Sequence, residues 1–328
     1  MKKKLVEVNE ISDSIKKSFK TRTITSIVLA VLLLPAVIIG NYFFAFILVV
    51  LSFMACYEYL NVLSSKKFPI FIDIFSFIMT LFLIYWGWLK QFLTDTLIVN
   101  GNIVISDISI STLALATMML FLFLFALMYT RFDVVDVGYI VTMALLISLG
   151  FQSIFFLRFS PMSAISDFYD YQGKQGLSSL LLFYVAIGSF ANDIGAYAIG
   201  ILFGKHKMNP RISPKKTWEG FIGGVVISFI CSSLFAIILD LNGIPLLKGI
   251  IDLDHWYIII FISLIMPFIS VLGDFLFSAI KRHYMKKDFS NVLPGHGGVL
   301  DRIDSLLVTS IVVTLLIISF NFYRGILF

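Results

Sequence analysis

The stretch of residues 278–304, SAIKRHYMKKDFSNVLPGHGGVLDRID, combines acidic, basic and glycine residues in a pattern suited to phosphate chemistry. Its glycines allow the backbone to approach a ligand closely and to turn N–H groups toward phosphate oxygens. Asp301 and Asp304 stand three residues apart, so a helix places both carboxylates on one face, where they can hold one hard cation. A cation site beside an anion cradle indicates metal-assisted phosphoryl or nucleotidyl transfer. The basic side chains around it are Lys281, Arg282, Lys286, Lys287 and Arg302.

A second polar cluster occupies residues 192–224, NDIGAYAIGILFGKHKMNPRISPKKTWEGFIGG. Its Asn-Asp pair falls inside an apolar segment, where a charge is costly unless it meets a cation, a base or water. Further along, Pro214 fixes the chain while neighbouring ammonium and hydroxyl groups converge, which suits a polyphosphate. The residues that we expect to contact substrate here are Asn192, Asp193, Ser213, Lys215, Lys216 and Glu219.

Asp274 is the third acidic element. It lies about one helical turn before Ser278, so it points toward the same end of its helix as the 278–304 stretch. We interpret it as a ligand to a metal, or to a metal-bound water, together with Asp301 and Asp304. The alternative is a carboxylate neutralised by a neighbouring base.

Several of these residues have a structural interpretation as well. Asp301 and Asp304 could cap a helix and form a surface ion pair with Arg302. His296 stays open between a catalytic imidazole and a side chain that donates to phosphate or braces the turn. Glu58 and Asp73 are acids near the ends of apolar segments, where pairing with Lys66 or Lys67 competes with lining a lipid entrance.

The composition indicates the solvent in which these clusters lie. Hydrophobic residues make up 59% of the chain and charged residues 14%, which excludes a water-soluble domain of 328 residues. We therefore predict an all-α polytopic membrane protein with about nine spans of roughly 20 residues. The boundary near Gly40 is the weakest, so eight or ten spans stay open. The predicted spans are 23–40, 41–60, 68–89, 110–130, 137–157, 178–203, 220–239, 256–280 and 304–323.

The distribution of lysine and arginine predicts the orientation. With the N-terminus in the cytoplasm, most of the 25 basic residues fall on the inner side, as the positive-inside rule requires. We expect a basic cytoplasmic lead at 1–22, N-terminal packing and lipid-access helices at 23–176, and a catalytic region at 177–328. The two cytoplasmic loops of that region are 204–219 and 281–303. Cys56 and Cys231 both fall within predicted spans and imply no disulfide framework.

Both clusters resemble the signature of the phosphatidate cytidylyltransferases, or CDP-diacylglycerol synthases. The run SPKKTWEG at 213–220 is similar to that family's corresponding loop, and one departure is Ile194, where many members have a small polar residue. The resemblance covers about residues 190–305, whereas residues 1–180 agree only in hydropathy. The matching positions of the first cluster are Ser278, Lys281, Arg282, Lys287, Asp288, Ser290, Pro294, His296, Gly297, Gly298, Asp301, Arg302 and Asp304.

The resemblance implies that CMP passes from CTP to phosphatidic acid in phospholipid biosynthesis. It implies Mg²⁺ on Asp274, Asp301 and Asp304, with a second cation left open, and catalytic roles for these acids with Lys281 and Arg282. We expect a bacterial plasma membrane, an active site facing the cytoplasm and no nucleic-acid partner, and a homodimer stays open. Beyond the 192–224 cluster, the implied substrate-binding residues are Lys287, His296, Gly297, Gly298 and Arg302.

Two other function classes stay open. A CTP-dependent polyprenol or phytol kinase would also use a nucleotide and a lipid, but the long signature at 278–304 argues against it. An ion-coupled transporter could use Asn192, Asp193 and Asp274 as an ion path. The acids cluster at one membrane face beside basic loops, which argues against a path across the bilayer.

Overall fold

The chain folds into a bundle of long helices with one short hairpin. The computed structural model describes residues 23–65, 69–97, 108–159 and 178–327 of the chain. These residues form nine long helices, each of which corresponds to one predicted span. The helices are α1 Thr23–Ile39, α2 Asn41–Asn61, α3 Ile70–Leu97, α4 Ile108–Met128, α5 Val134–Phe159, α6 Ser178–Phe203, α7 Trp218–Leu241, α8 Trp256–His283 and α9 Leu300–Leu327. Between α6 and α7, strand β1 Lys207–Asn209 pairs antiparallel with strand β2 Ser213–Thr217.

Seven of the described helices are long and apolar enough to cross a membrane. The other two apolar segments, Thr23–Ile39 and Ile70–Trp86, are shorter. The chain is thus an all-α polytopic membrane protein, as predicted. Nine spans and a cytoplasmic N-terminus stay predictions. The basic lead at 1–22 and the boundary predicted at 176/177 lie outside the described residues.

Two local contacts explain where helices begin. Gly40 has φ 67° and separates α1 from α2, and a side chain there would meet the Arg158 guanidinium. Arg158 in turn donates from Nε to the carbonyl oxygen of Val37 at 2.9 Å, which satisfies a free carbonyl near the end of α1. At the start of α7, the Thr217 hydroxyl accepts a hydrogen bond from Gly220 N at 3.2 Å and caps the helix.

Helices α6 and α7 pack closely because glycines line their contact. A Cβ on Gly220 would lie 2.7 Å from the carbonyl oxygen of Ala196, and one on Gly224 would lie 2.8 Å from that of Asn192. Small residues at such positions allow two backbones to approach closely. The close approach fixes the part of α6 that carries Asn192.

Helix α5 joins the two halves of the bundle. It contacts α2, α3 and α4 of the N-terminal half and also α6 and α9 of the C-terminal half. Its inward face is fully buried at Met143, Ile147 and Phe151, and a Cβ on Gly150 would lie 2.5 Å from Leu307 on α9. The catalytic region predicted from the sequence is therefore packed directly against the N-terminal helices.

The two basic loops lie at the same end of the bundle. Arg282, at the end of α8, donates from Nε to the carbonyl oxygen of Ile212 in the hairpin at 3.4 Å. Lys286 donates from Nζ to the carbonyl oxygen of Asn61, the last residue of α2, at 2.7 Å. The ends of α2, α6 and α8 and the starts of α7 and α9 therefore meet around one region.

Candidate active site

A cavity of about 490 Å³ opens where α6, the hairpin, α7 and α8 meet. Asn192 and Asp193 face it from α6, Lys215 and Lys216 from β2, and Asp274 from α8. The structure thus brings Asp274 together with four residues of the second cluster predicted from the sequence. Tyr197 and Ile201 complete one wall of the cavity.

Asp274 is the electrostatic centre of this cavity. Lys216 donates from Nζ to Asp274 Oδ2 at 2.7 Å. Asp193 is exposed and lies within electrostatic range of both Asp274 and Lys216, while the carboxyl of Asp304 contacts that of Asp274. Three carboxyl groups are therefore near one another and one ammonium group bonds directly to the central one. A bound cation would offset the surplus of negative charge.

Asn192 lies on the buried side of the same cavity. Its Nδ2 donates to Ser270 Oγ at 3.3 Å, whereas its Oδ1 is buried and has no hydrogen-bond partner among the described residues. Below it, Ser189 Oγ lies 3.3 Å from Ser270 Oγ and donates to Ser305 Oγ at 3.2 Å. A polar layer therefore underlies the acids and leaves one amide oxygen available to a ligand.

Asp301 has a different environment from Asp304. Lys281 donates to Asp301 Oδ1 at 2.6 Å, and their side chains are only 9% and 4% exposed. Asp301 Oδ2 also accepts backbone N–H groups from Phe289 and Gly298, both at 2.9 Å. The hydrogen bond from Gly298 N fits the interpretation of Asp301 as a residue that caps a helix start. Its ion pair, however, is with Lys281 and not with Arg302.

The metal triad predicted from the sequence is only partly assembled. Asp274 and Asp304 are in contact, but Asp301 is held by Lys281. Across the described parts of the chain, no three His, Cys, Asp or Glu side chains already converge on one point that could hold a metal ion.

The glycine-rich turn is braced by α1. Gly295 and Gly297 have φ 75° and 87°, a backbone conformation that favours glycine. His296 Nε2 lies 3.0 Å from the hydroxyl of Ser26, and Thr25 Oγ1 donates to the carbonyl oxygen of Pro294 at 2.9 Å. His296 Nδ1 is buried without a hydrogen-bond partner among the described residues. This arrangement favours the brace among the interpretations of His296. Arg302 donates from Nε to the His296 carbonyl oxygen at 2.8 Å and closes the same turn.

Glu219 and Ser213 contribute to the loop rather than to the lining of the cavity. Glu219 accepts backbone N–H groups from Lys205 at 3.0 Å and His206 at 3.2 Å, and lies 2.5 Å from His206 Nδ1. Ser213 lies opposite Asn209 in the hairpin. Both residues therefore help to present Lys215 and Lys216 to the cavity.

Lys287 lies at a second, smaller cavity of about 370 Å³. This cavity is formed by Asn61 and residues 286–291, and Lys287 is exposed there. Burial lowers the pKa of the neighbouring Lys286 below its usual value. The bases of the 278–304 stretch are therefore not gathered at one point.

The role of Glu58 is open from the sequence, and the structure gives its side chain three hydrogen-bond partners. Glu58 is fully buried and accepts hydrogen bonds from Ser290 Oγ, Val299 N and Leu300 N. Lys66 and Lys67, the partners considered from the sequence, lie outside the described residues. The sequence does contain one indication of this role. The helix predicted to begin beside Asp301 has free N–H groups at its start, and these groups need an acceptor such as a carboxylate.

Comparison with known proteins covers nearly the whole chain. The sequence profile of the cytidylyltransferase family matches residues 20–320. The chain belongs to that family. It is 30% identical over 290 residues to a protein of Bacillus subtilis (strain 168) named phosphatidate cytidylyltransferase, covering 88% of this chain and 93% of the relative. Relatives of the same name in Staphylococcus saprophyticus and in Staphylococcus aureus (strain COL) are 29% and 28% identical, each over 92% of this chain and 99% of the relative.

The resemblance stated from the two clusters is thereby confirmed, and it extends to the N-terminal half. Family membership makes this membrane protein a CTP-using nucleotidyltransferase. The cavity around Asp274 is its candidate active site, because it combines acidic side chains, lysines and a wall that includes the exposed Tyr197 and Ile201.

Proposed function

We propose that this enzyme transfers CMP from CTP to phosphatidate, giving CDP-diacylglycerol and pyrophosphate. The names of its relatives support phosphatidate as the acceptor. The observation that carries the proposal is the cavity that joins Asp193 and Asp274 to Lys215 and Lys216 at the end of the helix bundle. Acids that can hold a cation and bases that can hold phosphate are both needed to bring two polyanions together.

The lipid-facing wall of the cavity suits an acceptor that stays in the bilayer. Tyr197 and Ile201 line the cavity and are 73% and 64% exposed on the outer surface of the bundle. Removing acyl chains from lipid costs about 0.8 kcal/mol per CH₂, so the headgroup has to reach the site from the side. Lys215 is exposed at the same cavity and can bind a phosphate there.

The reaction needs no general base. The second pKa of a phosphate monoester is about 6, so the phosphatidate phosphate is largely dianionic at neutral pH. One of its oxygens forms a bond to the α-phosphorus of CTP, the bond from that phosphorus to the bridging oxygen breaks, and pyrophosphate leaves with the electron pair. The enzyme has to align these atoms and offset their charges. Lys215 is free to bind phosphate, while Lys216 limits the repulsion that Asp274 would exert on the substrates.

The oxygen donors at the cavity fit a hard divalent cation such as Mg²⁺. Asp274 and Asp304 are in contact, Asp193 adds negative charge, and Asn192 Oδ1 is a buried oxygen without a partner among the described residues. We propose that Asp274 and Asp304 hold the cation. Asp301 could join them by exchanging its bond to Lys281. When bound, Mg²⁺ reduces the repulsion between the substrates and stabilises charge on pyrophosphate. Asn192 and Asp193 would serve a second cation.

Sidedness is part of the proposal. Both basic loops lie at one end of the bundle, where Arg282 contacts Ile212. CTP is found in the cytosol, and the positive-inside rule places these loops there. We therefore assign the site to the cytoplasmic face of a bacterial plasma membrane.

The products distinguish the candidate activities. Purified protein with CTP, Mg²⁺ and phosphatidate should release pyrophosphate and CDP-diacylglycerol in equal amounts, and it should release no pyrophosphate when phosphatidate is omitted. A CTP-dependent kinase acting on polyprenol or phytol would release CDP instead. A transporter would turn over neither substrate. Absence of phosphatidate-dependent pyrophosphate would refute the proposed function.

A further inference from the structure

The signature loop is anchored by an acid from the other half of the chain. Glu58, on α2, is 0% exposed and accepts hydrogen bonds from Ser290 Oγ at 2.7 Å, Val299 N at 2.7 Å and Leu300 N at 2.8 Å. The last two donors belong to the start of α9, where N–H groups lack helical partners and the helix dipole favours negative charge. The side-chain carboxyl group of Glu58 on α2 therefore caps the helix that carries Asp301 and Asp304.

Glu58 also explains why residue 298 is a glycine. A Cβ on Gly298 would lie 2.6 Å from Glu58 Oε2 and 2.7 Å from its carboxyl carbon. Gly295 and Gly297 need glycine for their positive φ, whereas Gly298 has an ordinary backbone conformation. Its N–H donates to Asp301 Oδ2 at 2.9 Å. Asp301 thus holds the backbone N–H of Gly298, and the missing side chain leaves room for the carboxyl group of Glu58 rather than for a phosphate.

We propose that Glu58 is a positioning residue of this enzyme: its carboxylate sets the start of α9 and thereby the position of Asp301 and Asp304 relative to Lys281 and Asp274. The effect on turnover rests on the proposed cytidylyl transfer, whereas the anchoring of the loop can be measured without any activity. A second contact, from Lys286 to the carbonyl oxygen of Asn61, holds the loop to the same helix end.

The first test compares Glu58→Gln with Asp73→Asn, a change of another acid in the N-terminal helices. Asp73 lies in the first turn of α3, and its Oδ1 has no hydrogen-bond partner among the described residues. In Glu58→Gln an amide NH₂, which is itself a donor, replaces one of the oxygens that accept hydrogen bonds from the N–H groups of Val299 and Leu300. Hydrogen exchange of peptide 289–303 should therefore rise, while that of peptide 221–240 stays unchanged. The kcat should fall about tenfold to a hundredfold, with the KM for CTP changed less than about threefold. Asp73→Asn should leave the hydrogen exchange of peptide 289–303 at its wild-type value.

Unchanged exchange of peptide 289–303 in Glu58→Gln would overturn the proposal, whatever the activity. Absence of pyrophosphate release by the wild-type protein would instead refute the proposed function, and the exchange result would still decide the role of Glu58.

The second test is a double-mutant cycle between Glu58 and Gly298. Gly298→Ala should lower kcat at least about tenfold in the wild-type background, because its methyl group collides with the carboxylate. In a Glu58→Ala background the same change should cost less than about threefold, since the colliding group is gone. Equal losses in the two backgrounds would mean that Gly298 makes room for substrate, and the proposal would be wrong. If Glu58→Ala does not fold, Glu58→Asp, which is one methylene shorter, supplies the background.

Discussion

Lys216 and Asp274 are 58 residues apart in sequence, and their 2.7 Å hydrogen bond ties the hairpin to the acidic side of the cavity. The Lys216 ammonium also lies 4.7 Å from the centre of the Phe275 ring. Lys215, the preceding residue on β2, is exposed at the same cavity. Two adjacent lysines therefore have different situations, one neutralising an acid and the other free to bind phosphate.

This difference predicts separate kinetic effects for the two lysines. Lys215→Ala should raise the KM for CTP about tenfold to a hundredfold, because a charge-assisted hydrogen bond contributes about 1.5–3 kcal/mol. Lys216→Ala should mainly lower kcat, because Asp274 loses its counter-charge beside the reacting phosphates. Initial rates at varied CTP and varied phosphatidate separate these effects, with the exposed Lys248→Ala as control. If Lys215→Ala changes only the KM for phosphatidate and leaves the KM for CTP unchanged, Lys215 binds the lipid headgroup instead of CTP.

Asp304→Asn should abolish turnover while the protein stays folded, since it removes a proposed ligand of Mg²⁺ and keeps the size of the side chain. Pyrophosphate release at saturating Mg²⁺ measures the loss of turnover, and the unfolding temperature in detergent shows whether the protein stays folded. The matched control is Asp254→Asn, an exposed acid in the short 3₁₀ turn Leu253–His255. Retention of more than about a tenth of the wild-type rate would contradict the ligand assignment, because loss of a ligand should cost several kcal/mol.

The Lys281–Asp301 pair predicts a strong thermodynamic coupling. Lys281→Met leaves the 4%-exposed carboxylate of Asp301 without its ammonium partner and should lower the free energy of unfolding by about 3 kcal/mol. In the double variant Lys281→Met, Asp301→Asn no unpaired charge remains, so much of that loss should be recovered. Thermal unfolding of the four proteins in the same detergent measures the coupling. Strictly additive losses would show that the two side chains do not interact in the folded protein.

Cysteine labelling tests the orientation independently of activity. On a background lacking Cys56 and Cys231, single cysteines replacing the exposed Lys207 and Asn291 should resist a membrane-impermeant thiol reagent in sealed right-side-out vesicles. A cysteine replacing the exposed Asn242, at the opposite end of α7, should react. The reverse pattern would place the site in a compartment without CTP and would contradict the proposed sidedness.

The helices could be predicted because each depends on local composition. About 20 consecutive apolar residues have few alternatives to a helix in lipid, and every predicted span has a counterpart in the structure. The hairpin was predicted only as a loop, because its pairing of Lys207 with Thr217 depends on contacts across the loop and not on periodicity. Helix α9 begins at Leu300, four residues before the predicted start at 304, where Glu58 caps it.

The chemistry of the site could be predicted, but the pairing of its charges could not. Lys281, Asp301 and Arg302 were all named from the sequence, yet Asp301 pairs with Lys281, 20 residues away, and not with its neighbour Arg302. The spacing of residues in the sequence predicts which side chains meet within one helix. This ion pair joins two different helices, α8 and α9, so spacing does not predict it. The donors of Glu58 are more distant still, since Ser290 follows it by 232 residues. Tertiary packing alone decides such contacts.

The donors that stabilise Glu58 are synthesised long after Glu58 itself. Helix α2 carries the acid, and Ser290, Val299 and Leu300 follow only after the six helices α3–α8. A nascent chain therefore holds α2 with an unsatisfied acid near the membrane until the loop after α8 folds back, so this part of the bundle assembles only after α8 has been made. We expect a chain truncated after His283 to be removed by membrane proteases faster than the full-length protein. Pulse-chase labelling of the two chains would measure that difference.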